Sequence, residues 1–396
     1  MAEDYQSYPL VAQIPLHTFQ LPDFPEQASR LRSLTLTADI KLDEYQALVQ
    51  DTPSNDETFN IPGNLPQSIT HLTFELFSLG FPAGYLGSIA SSLPNLKSLT
   101  LFSSLIDGIT EGSRKDAEAF FEKTPLLAEL HVLDTFARVG FWQKTARLFE
   151  QRAKKSKEVR DEGGLKVLEV SYTYRGFEDE GFLARVGGEE WADWILERVV
   201  GVAFGLIPER PSEIENDEGD DKEKQIEGIL PFAVDSRASE SLRKKFSTST
   251  ISLRELKMLD LSLWTLRSAE VGAILKSGGS GERGSSGKIA DLTVSVLMED
   301  GWWSKLLDAV GAAGDSLEGI EVIGVPSDTK EMRAAVQNGK SEGGSEVALL
   351  GKHDLEALAA VCPSLSRLTM TILRARSFGR ISWTKIEKGS WEESRA

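Results

Sequence analysis

A six-residue pattern with apolar residues at its first, fourth and sixth positions recurs nine times along this chain of 396 residues. The copies begin at Leu31, Ile69, Leu96, Leu127, Leu165, Leu256, Ile289, Leu317 and Leu365. The last two apolar residues of each copy are two positions apart, so on a β-strand they point to the same face. Helix-like stretches precede most copies. Because a unit of one helix and one strand cannot bury its own apolar face, the pattern predicts a solenoid of stacked copies.

The flanking sequence supports the repeat. Residues 92–101 read SLPNLKSLTL and residues 361–370 read VCPSLSRLTM, so both copies follow a proline. Proline cannot continue a helical hydrogen-bond ladder, so it ends the helix before each strand. The steps between successive first residues are 38, 27, 31, 38, 91, 33, 28 and 48. Several steps therefore lie near 30 residues, and one long step interrupts the series.

The hexads and their flanking sequences resemble the leucine-rich-repeat family, in the irregular form of ribonuclease-inhibitor-like proteins and F-box receptors. The resemblance covers the chain from about Leu31 to Ile372. The family's Asn or Cys after the strand is absent, and the periods exceed the usual ~20–29 residues. The resemblance implies an α/β horseshoe with an inner parallel sheet and outer helices, and a protein-binding role. Residues 1–30 contain no recognisable F-box module.

Charge and cysteine content restrict the partner and the compartment. The net charge of −17 argues against a general nucleic-acid surface and favours a basic protein partner, although a merely solvated acidic surface is the alternative. Cys362 is the only cysteine, so no intrachain disulfide can form. The chain has no Asn-x-Ser/Thr site, no secretory signal at its acidic start and no apolar run long enough to span a membrane. These features predict a cytoplasmic or nuclear protein.

The pattern divides the chain into three parts. We expect an extended N-terminal cover over residues 1–30, the solenoid over 31–375, and a C-terminal tail over 376–396. The long step contains an acidic insertion at about 208–228 that we expect to be disordered, as either a variable loop or an acidic docking element. A helix is predicted earlier in this step from apolar residues at helical spacing: Trp191, Trp194, Ile195, Val199 and Val202.

The sequence contains no convincing motif for catalysis or for cofactor binding. Residues 279–284 match GxGxxG, but a predicted helix precedes them and a strand follows, which is the wrong order for a dinucleotide site. His71 and His131 lie on different predicted strands and could approach each other, but a surface role is preferred to a metal site. The sequence therefore predicts no catalytic residue, no cofactor and no metal, and a protein that is not an enzyme.

One row of side chains is predicted to face solvent. The residue between the last two apolar positions of each copy points away from the core, onto the concave face of the predicted horseshoe. Threonines in this row also suit strand propensity, which does not explain the acids. Trp302 and Trp303 follow a predicted turn, so either one Trp is exposed as an interface anchor or each packs on one side of a helix. The candidate partner-binding residues are Glu75, Phe102, Glu129, His131, Glu169, Asp260, Glu321, Trp302 and Trp303.

The sequence thus predicts a non-catalytic protein–protein interaction module. A finer hypothesis is a substrate-recognition or scaffold protein resembling the repeat half of F-box receptors. The alternatives are an enzyme or a GTPase-activating repeat protein with a site in the loops, for which no motif is present. The oligomeric state is left open.

Overall fold

The computed structural model describes residues 10–50, 61–159, 164–174, 199, 201–208, 242, 244, 256–277, 289–311, 314–326, 350–372, 380–386 and 389–395. The chain divides into two compact units, which we call unit 1 (Met1–Tyr172) and unit 2 (Thr173–Ala396). Both units are built from β-strands that alternate with helices.

Unit 1 is a parallel sheet in which each strand pairs with the next along the chain. Its strands are β1 (Val11–Leu16), β2 (Ser33–Ala38), β3 (His71–Glu75), β4 (Ser98–Phe102), β5 (Glu129–Leu133) and β6 (Val167–Tyr174), and the boundary of the unit falls after Tyr172 within β6. Its helices are α1 (Leu42–Gln50), α2 (Tyr85–Ser92), α3 (Glu111–Lys123) and α4 (Phe141–Val159), with a 3-10 helix at Glu26–Arg30.

The hexads of unit 1 stack in register, as the sequence pattern predicts. The fourth hexad residues pair across neighbouring strands and are buried: Leu34, Leu72, Leu99, Leu130 and Leu168. The sixth residues point to the same side, where Phe74 of β3 meets Phe120 of α3 with ring centroids 6.5 Å apart. The buried face of the sheet therefore packs against the helices, and the other face carries the polar side chains.

Neighbouring helices of unit 1 are joined by an unusual cap. The α3 helix begins with a local capping box, in which Ser113 N–H donates to Thr110 Oγ1 over 3.0 Å and Thr110 N–H donates to Ser113 Oγ over 3.1 Å. By contrast, Asp116 of α3 accepts hydrogen bonds from Leu86 N–H (2.8 Å) and Gly87 N–H (2.9 Å) at the start of α2. One carboxylate thus satisfies two backbone donors of the preceding repeat.

Unit 2 repeats the arrangement and ends in an antiparallel hairpin. Its strands are β7 (Gly201–Pro208), β8 (Met258–Leu266), β9 (Asp291–Met298), β10 (Gly319–Pro326), β11 (Arg367–Ile372), β12 (Arg380–Lys385) and β13 (Trp391–Arg395). Its helices are α5 (Ser268–Ser277), α6 (Trp302–Gly311) and α7 (Lys352–Val361), with a 3-10 helix at Gly314–Ser316. Strands β7 to β11 pair in parallel, and β12 and β13 follow in antiparallel order.

The hexads of unit 2 are also in register and buried, at Leu259, Leu292, Ile320 and Leu368. The predicted α/β repeat fold with parallel strands is therefore confirmed. The helix predicted from Trp191 to Val202 is wrong at its end, because Val202 lies in strand β7 and pairs with Leu259, whereas Trp191, Trp194 and Ile195 lie outside the described residues. Val199, Val202 and Phe204 are buried at the first, fourth and sixth positions of a further copy of the pattern, which lies inside the long step.

The sheets also use residues at both ends of the chain that the pattern assigns to a cover segment and a tail. Within residues 1–30, Val11–Leu16 forms β1 and pairs in parallel with β2, so the described sheet begins before Leu31. Within residues 376–396, β12 and β13 extend the sheet of unit 2. Residues 209–228 of the acidic insertion and the GxGxxG segment at 279–284 lie outside the described residues. In the described part of the chain, no helix is long and apolar enough to cross a membrane.

Candidate protein-binding face

The exposed face of unit 1 carries an ordered row of polar side chains, each between the two core-facing positions of its strand. Because the strands are in register, these residues stand side by side from β1 to β6. In order they are Gln13, Thr35, Thr73, Thr100, His131 and Glu169. The row changes from amide and hydroxyl groups at its start to an imidazole and a carboxylate at its end.

A second row holds Glu75 beside Phe102. Thr37 Oγ1 donates to Glu75 Oε2 over 2.9 Å, and Gln13 Nε2 donates to Thr37 Oγ1 over 3.2 Å and to Glu75 Oε2 over 3.4 Å. Phe102 pairs in register with Glu75 and Leu133, and 39% of its surface is exposed. The donors to this carboxylate are neutral, so its negative charge is oriented but not cancelled.

His131 and Glu169 form a pair on adjacent strands. His131 Nδ1 lies 2.8 Å from Glu169 Oε2, and both side chains are partly exposed. The structure does not bring His71 to His131, because the two residues lie in different rows with β4 between their strands. His71 Nδ1 instead lies 2.9 Å from Thr70 Oγ1. Glu129, in the same row as His71, is partly buried. Within the described ranges, no group of three His, Cys, Asp or Glu side chains could hold a metal ion.

The exposed face of unit 2 has acids in the corresponding row, but these acids have close partners within the unit. The row contains Ala203, Asp260, Thr293, Glu321, Thr369 and Ser382. Asp260 Oδ1 accepts hydrogen bonds from Ser262 N–H (2.8 Å) and Ser262 Oγ (2.6 Å). Glu321 Oε1 lies 3.6 Å from Arg380 Nη2 of β12.

A second arginine of unit 2 also pairs with an acid on another strand of the exposed face. Arg367 Nη2 of β11 lies 2.5 Å from Asp291 Oδ1 of β9, across the intervening Gly319 of β10. An added Cβ at Gly319 would come within 2.3 Å of Asp291 Oδ1, so glycine leaves the space through which the pair meets. The sequence pattern missed Arg367 and Arg380 as parts of this face, because their positions depend on strand register and on the antiparallel hairpin.

The two adjacent tryptophans begin helix α6. Their rings form an edge-on contact with centroids 5.7 Å apart, and both side chains are partly exposed. Ser268 Oγ, at the start of α5, donates to the Trp302 carbonyl over 2.8 Å. The tryptophans are therefore fixed at a helix start and keep part of their surface accessible. They lie on the helix side of unit 2 rather than in the polar row.

The loops that follow β4 and β5 are held together by a buried carboxylate. Asp107 accepts from Arg138 Nε over 2.9 Å and from Arg138 N–H over 3.1 Å, and Arg138 Nη1 also donates to Glu111 over 2.8 Å. Burial raises the pKa of the Asp107 carboxyl, while the bonds and charge of Arg138 act in the opposite direction. This network fixes the loops at the carboxyl end of the strands beside the polar rows.

No family model and no curated protein matches the sequence. Among solved structures, the chain is similar to the leucine-rich repeat-containing protein LegL7 from Legionella pneumophila, with 14% identity, 92% of each chain covered and a TM-score of 0.41. A similarity this weak adds nothing to the fold assignment, which rests on the strand register and the buried hexads.

Proposed function

We propose that this protein is a non-catalytic protein-binding module and that the exposed face of its sheets binds the partner. The observation that carries the proposal is the row of half-exposed polar and acidic side chains held in register across successive strands. Such a surface is rigid before binding, so little conformational freedom is lost when a partner docks. Phe102 supplies an exposed aromatic group within it, and aromatic residues are common anchors of interfaces.

The partner is expected to be a basic protein. Glu75, Glu129 and Glu169 give the face of unit 1 a negative charge, and Asp260 and Glu321 lie on the face of unit 2. Trp302 and Trp303 offer a second contact region at the start of α6. A role as a substrate-recognition or scaffold protein, as in the repeat half of F-box receptors, is supported by the repeat pattern alone. Placement in the cytoplasm or nucleus is supported by the single cysteine.

Site-specific photo-crosslinking tests which surface meets the partner. A photoreactive amino acid is placed at His131 or Glu321 on the polar face, or at Glu122, an exposed residue of α3 on the helix side. In extract from cells that express the protein, we expect the two face positions to capture the same protein and the Glu122 position not to capture it. Capture from Glu122 alone would contradict the polar face as the binding site and would indicate that the partner binds the helices.

The captured protein then allows a kinetic test of the acidic residues. Replacing Glu169, Asp260 and Glu321 together by Ser should slow association and flatten its dependence on salt, because charges on an open surface act mainly on the encounter rate. Each exposed pair contributes only ~0–1 kcal/mol, so dissociation should change little. Unchanged rates and an unchanged salt response would contradict a role for these acids.

A further inference from the structure

Three successive strands of unit 1 end in the same unusual backbone conformation. Leu76, Ser103 and Asp134 directly follow β3, β4 and β5, with φ values of 64°, 48° and 45°. Each N–H donates to a carbonyl of the next strand, over 2.9, 2.9 and 2.8 Å respectively. A residue with a Cβ rarely adopts this left-handed conformation, and short polar residues such as Asp tolerate it best. Leucine is therefore the least suited of the three residues to its position.

Burial of the side chain does not explain why a leucine occupies this left-handed position. Leu76 has 48% of its surface exposed, so it gains only part of the stabilisation that a core leucine would. Strain that packing does not require is often kept for function. Leu76 is therefore an apolar side chain that a docked partner could bury.

Other apolar side chains surround the same edge of the sheet. Leu76 N–H donates to the Phe102 carbonyl, and Phe102 pairs in register with the half-exposed Leu133. Phe136 follows β5, is exposed, and has its ring 5.7 Å from that of Tyr172. We call Leu76, Phe102, Leu133 and Phe136 the apolar rim. Asp107 and Arg138 fix the loops on which part of this rim lies, so the rim is presented by an ordered scaffold.

The charge beside the apolar rim is negative on the strands, and Arg138 of the loop after β5 is paired with Asp107 and Glu111. The six strands of unit 1 contain no Lys or Arg, and their charged residues are Glu75, Glu129 and Glu169. Glu75 is adjacent to Leu76 in sequence and beside Phe102 in the sheet, and Asp134 follows Leu133. A ligand that buries the rim would therefore bring any acidic group of its own close to these carboxylates, whereas a basic group would be attracted.

We propose that the apolar rim docks a peptide segment of the partner that presents aliphatic or aromatic side chains next to Lys or Arg. The segment places its apolar side chains against Leu76 and Phe102, and its basic side chains toward Glu75 and the His131–Glu169 pair. This inference rests on the proposed function, because it names the chemistry of the partner and the part of the face that anchors it. An apolar anchor supplies affinity, and the carboxylates select the sign of the ligand's charge.

A peptide-selection experiment provides the probe. A displayed library of random 16-residue peptides is panned on the full-length protein, and the enriched peptides are synthesised for affinity measurements. We expect enrichment of sequences that combine Leu, Ile, Phe or Trp with Lys or Arg. Failure to enrich any peptide, or enrichment of acidic or purely polar peptides, counts against the apolar rim as a docking site.

Matched substitutions then locate the enriched peptides. Leu76→Ala and Phe102→Ala should each weaken binding about tenfold or more, as expected for anchors of an interface. The control is Leu126→Ala, because Leu126 is 47% exposed but precedes β5, at the opposite edge of the strands. This control should leave affinity within about twofold. Equal losses from Leu76→Ala and Leu126→Ala would overturn the assignment.

Glycine substitutions separate binding from stability. Leu76→Gly should melt at the same temperature as Leu76→Ala or higher, because only glycine relieves a positive φ, and it should lose the peptide equally. Ser103→Gly relieves the same conformation in the next repeat, so it should raise the melting temperature by about 2 °C and keep binding intact. If rim variants bind normally while photo-crosslinking at His131 persists, the apolar rim is excluded and the proposed function is not.

Discussion

The two units share one repeat but differ in what accompanies the acids on their exposed faces. In unit 1, Glu75 is held by a hydroxyl and an amide, and Glu169 by His131. In unit 2, Glu321 lies beside Arg380, and Asp291 beside Arg367. A carboxylate oriented by neutral donors keeps its attraction for a cation, whereas one beside an arginine is already compensated. Glu321 and Asp291 of unit 2 are therefore partly compensated by arginine, whereas Asp260 of unit 2, like Glu75 of unit 1, accepts hydrogen bonds from neutral donors.

The distribution of exposed apolar side chains follows the same division. In unit 1, the exposed Leu76, Phe102 and Phe136 lie where strands β3 to β5 end, and further exposed apolar side chains are Leu10, Val11, Leu42, Ile109, Leu126 and Val139. Among the described residues of unit 2, the large exposed apolar side chains are Met258, Val361 and Ile386, which lie on a strand, a helix end and a loop. Clustered apolar surface marks interaction sites, whereas scattered residues are ordinary. Charge and apolar surface thus both favour unit 1 as the unit that anchors the partner, with the acids of unit 2 contributing weaker charge contacts.

The largest effect is expected from the buried leucines that both units share. Leu99→Ala in unit 1 and Leu259→Ala in unit 2 should each lower the free energy of unfolding by ~2–5 kcal/mol, because each removes buried contacts and leaves a cavity. Urea unfolding measures the loss, and hydrogen exchange shows which unit it affects. Thr35→Ala, on the exposed face, is the control and should change stability by less than ~0.5 kcal/mol. Equal losses from control and core variants would contradict the assigned faces.

Cys362 provides a reporter of unit 2 alone, since it is the only cysteine of the chain. Its thiol is buried, and burial raises its pKa from 9.0 to about 11. A raised pKa means that the thiol's contribution to stability is complete below pH 9 and is lost as the pH rises through 11. At pH 8 we expect a thiol reagent to react with native protein much more slowly than with urea-unfolded protein, because the native thiol is fully buried and almost entirely protonated.

The same reaction sharpens the comparison of the units. Leu259→Ala should accelerate modification of Cys362, because both residues belong to unit 2. Leu99→Ala lies in unit 1, so we expect a smaller acceleration. A native thiol that reacts as fast as the unfolded one would show that Cys362 is accessible.

The helix caps offer a third test. Asp116 of unit 1 caps the helix of the preceding repeat, whereas Glu270 of unit 2 accepts from Arg267 N–H at the start of its own helix over 2.7 Å. Asp116→Ala should cost ~1–3 kcal/mol, because two partly buried N–H groups lose their acceptor. Glu270→Ala should cost about 0.5 kcal/mol, as for an exposed local cap. Thermal melting of both variants measures these losses of stability. Equal losses would contradict the difference between a cap from the next repeat and a local cap.

The Asp116 cap should also depend on pH in a defined direction. Burial raises the pKa of the Asp116 carboxyl, against the hydrogen bonds from α2 that lower it. Its contribution to stability is therefore greatest at low pH and declines as the pH rises through the raised pKa. Asp116→Asn keeps one acceptor oxygen but turns its amide NH2 toward the second backbone donor, so it should recover only part of the stability that Asp116→Ala loses. A loss as large as that of Asp116→Ala would show that both carboxylate oxygens are required.

The sequence predicted nine strands of the fold because each copy has large apolar residues at the two buried positions. It missed β7 for a physical reason. Gly201, Ala203 and Gly205 alternate with larger residues and weaken the apolar contrast, and the spacing of Val199 and Val202 also suits a helix. Strand β1 was missed because Pro15 argues against a strand, although proline is tolerated at a sheet edge.

The binding face could be predicted only in part. Alternation along a strand shows which side chains point away from the core, so the sequence alone predicts that His131 and Glu169 lie on one face. The partners of the acids could not be predicted, because the Glu321–Arg380 contact depends on a hairpin whose register leaves no periodic signal. The backbone of Leu76 was equally hidden, since nothing in its identity indicates a positive φ.

The smallest expected effect concerns the pair that balances unit 2. Glu321 and Arg380 are both substantially exposed, with 36% and 53% of their side-chain surface accessible. A double-mutant cycle of Glu321→Gln and Arg380→Gln should therefore give a coupling of only ~0–1 kcal/mol, decreasing as salt rises. Urea unfolding at low and high ionic strength measures it. A coupling well above 1 kcal/mol would show that the pair is part of the structural core of unit 2.

Arg380→Gln also tests why the two faces differ. It leaves Glu321 without its cation, so the face of unit 2 becomes similar to that of unit 1. Association of a lysine-rich peptide should then become faster at low salt, and this gain should disappear when Glu321 is also changed to Gln. In unit 1, Glu75→Gln should slow the same association, because the carboxylate there is held by neutral donors. If Arg380→Gln changes nothing while Glu75→Gln slows binding, the apolar rim rather than the balance of charge distinguishes the two units.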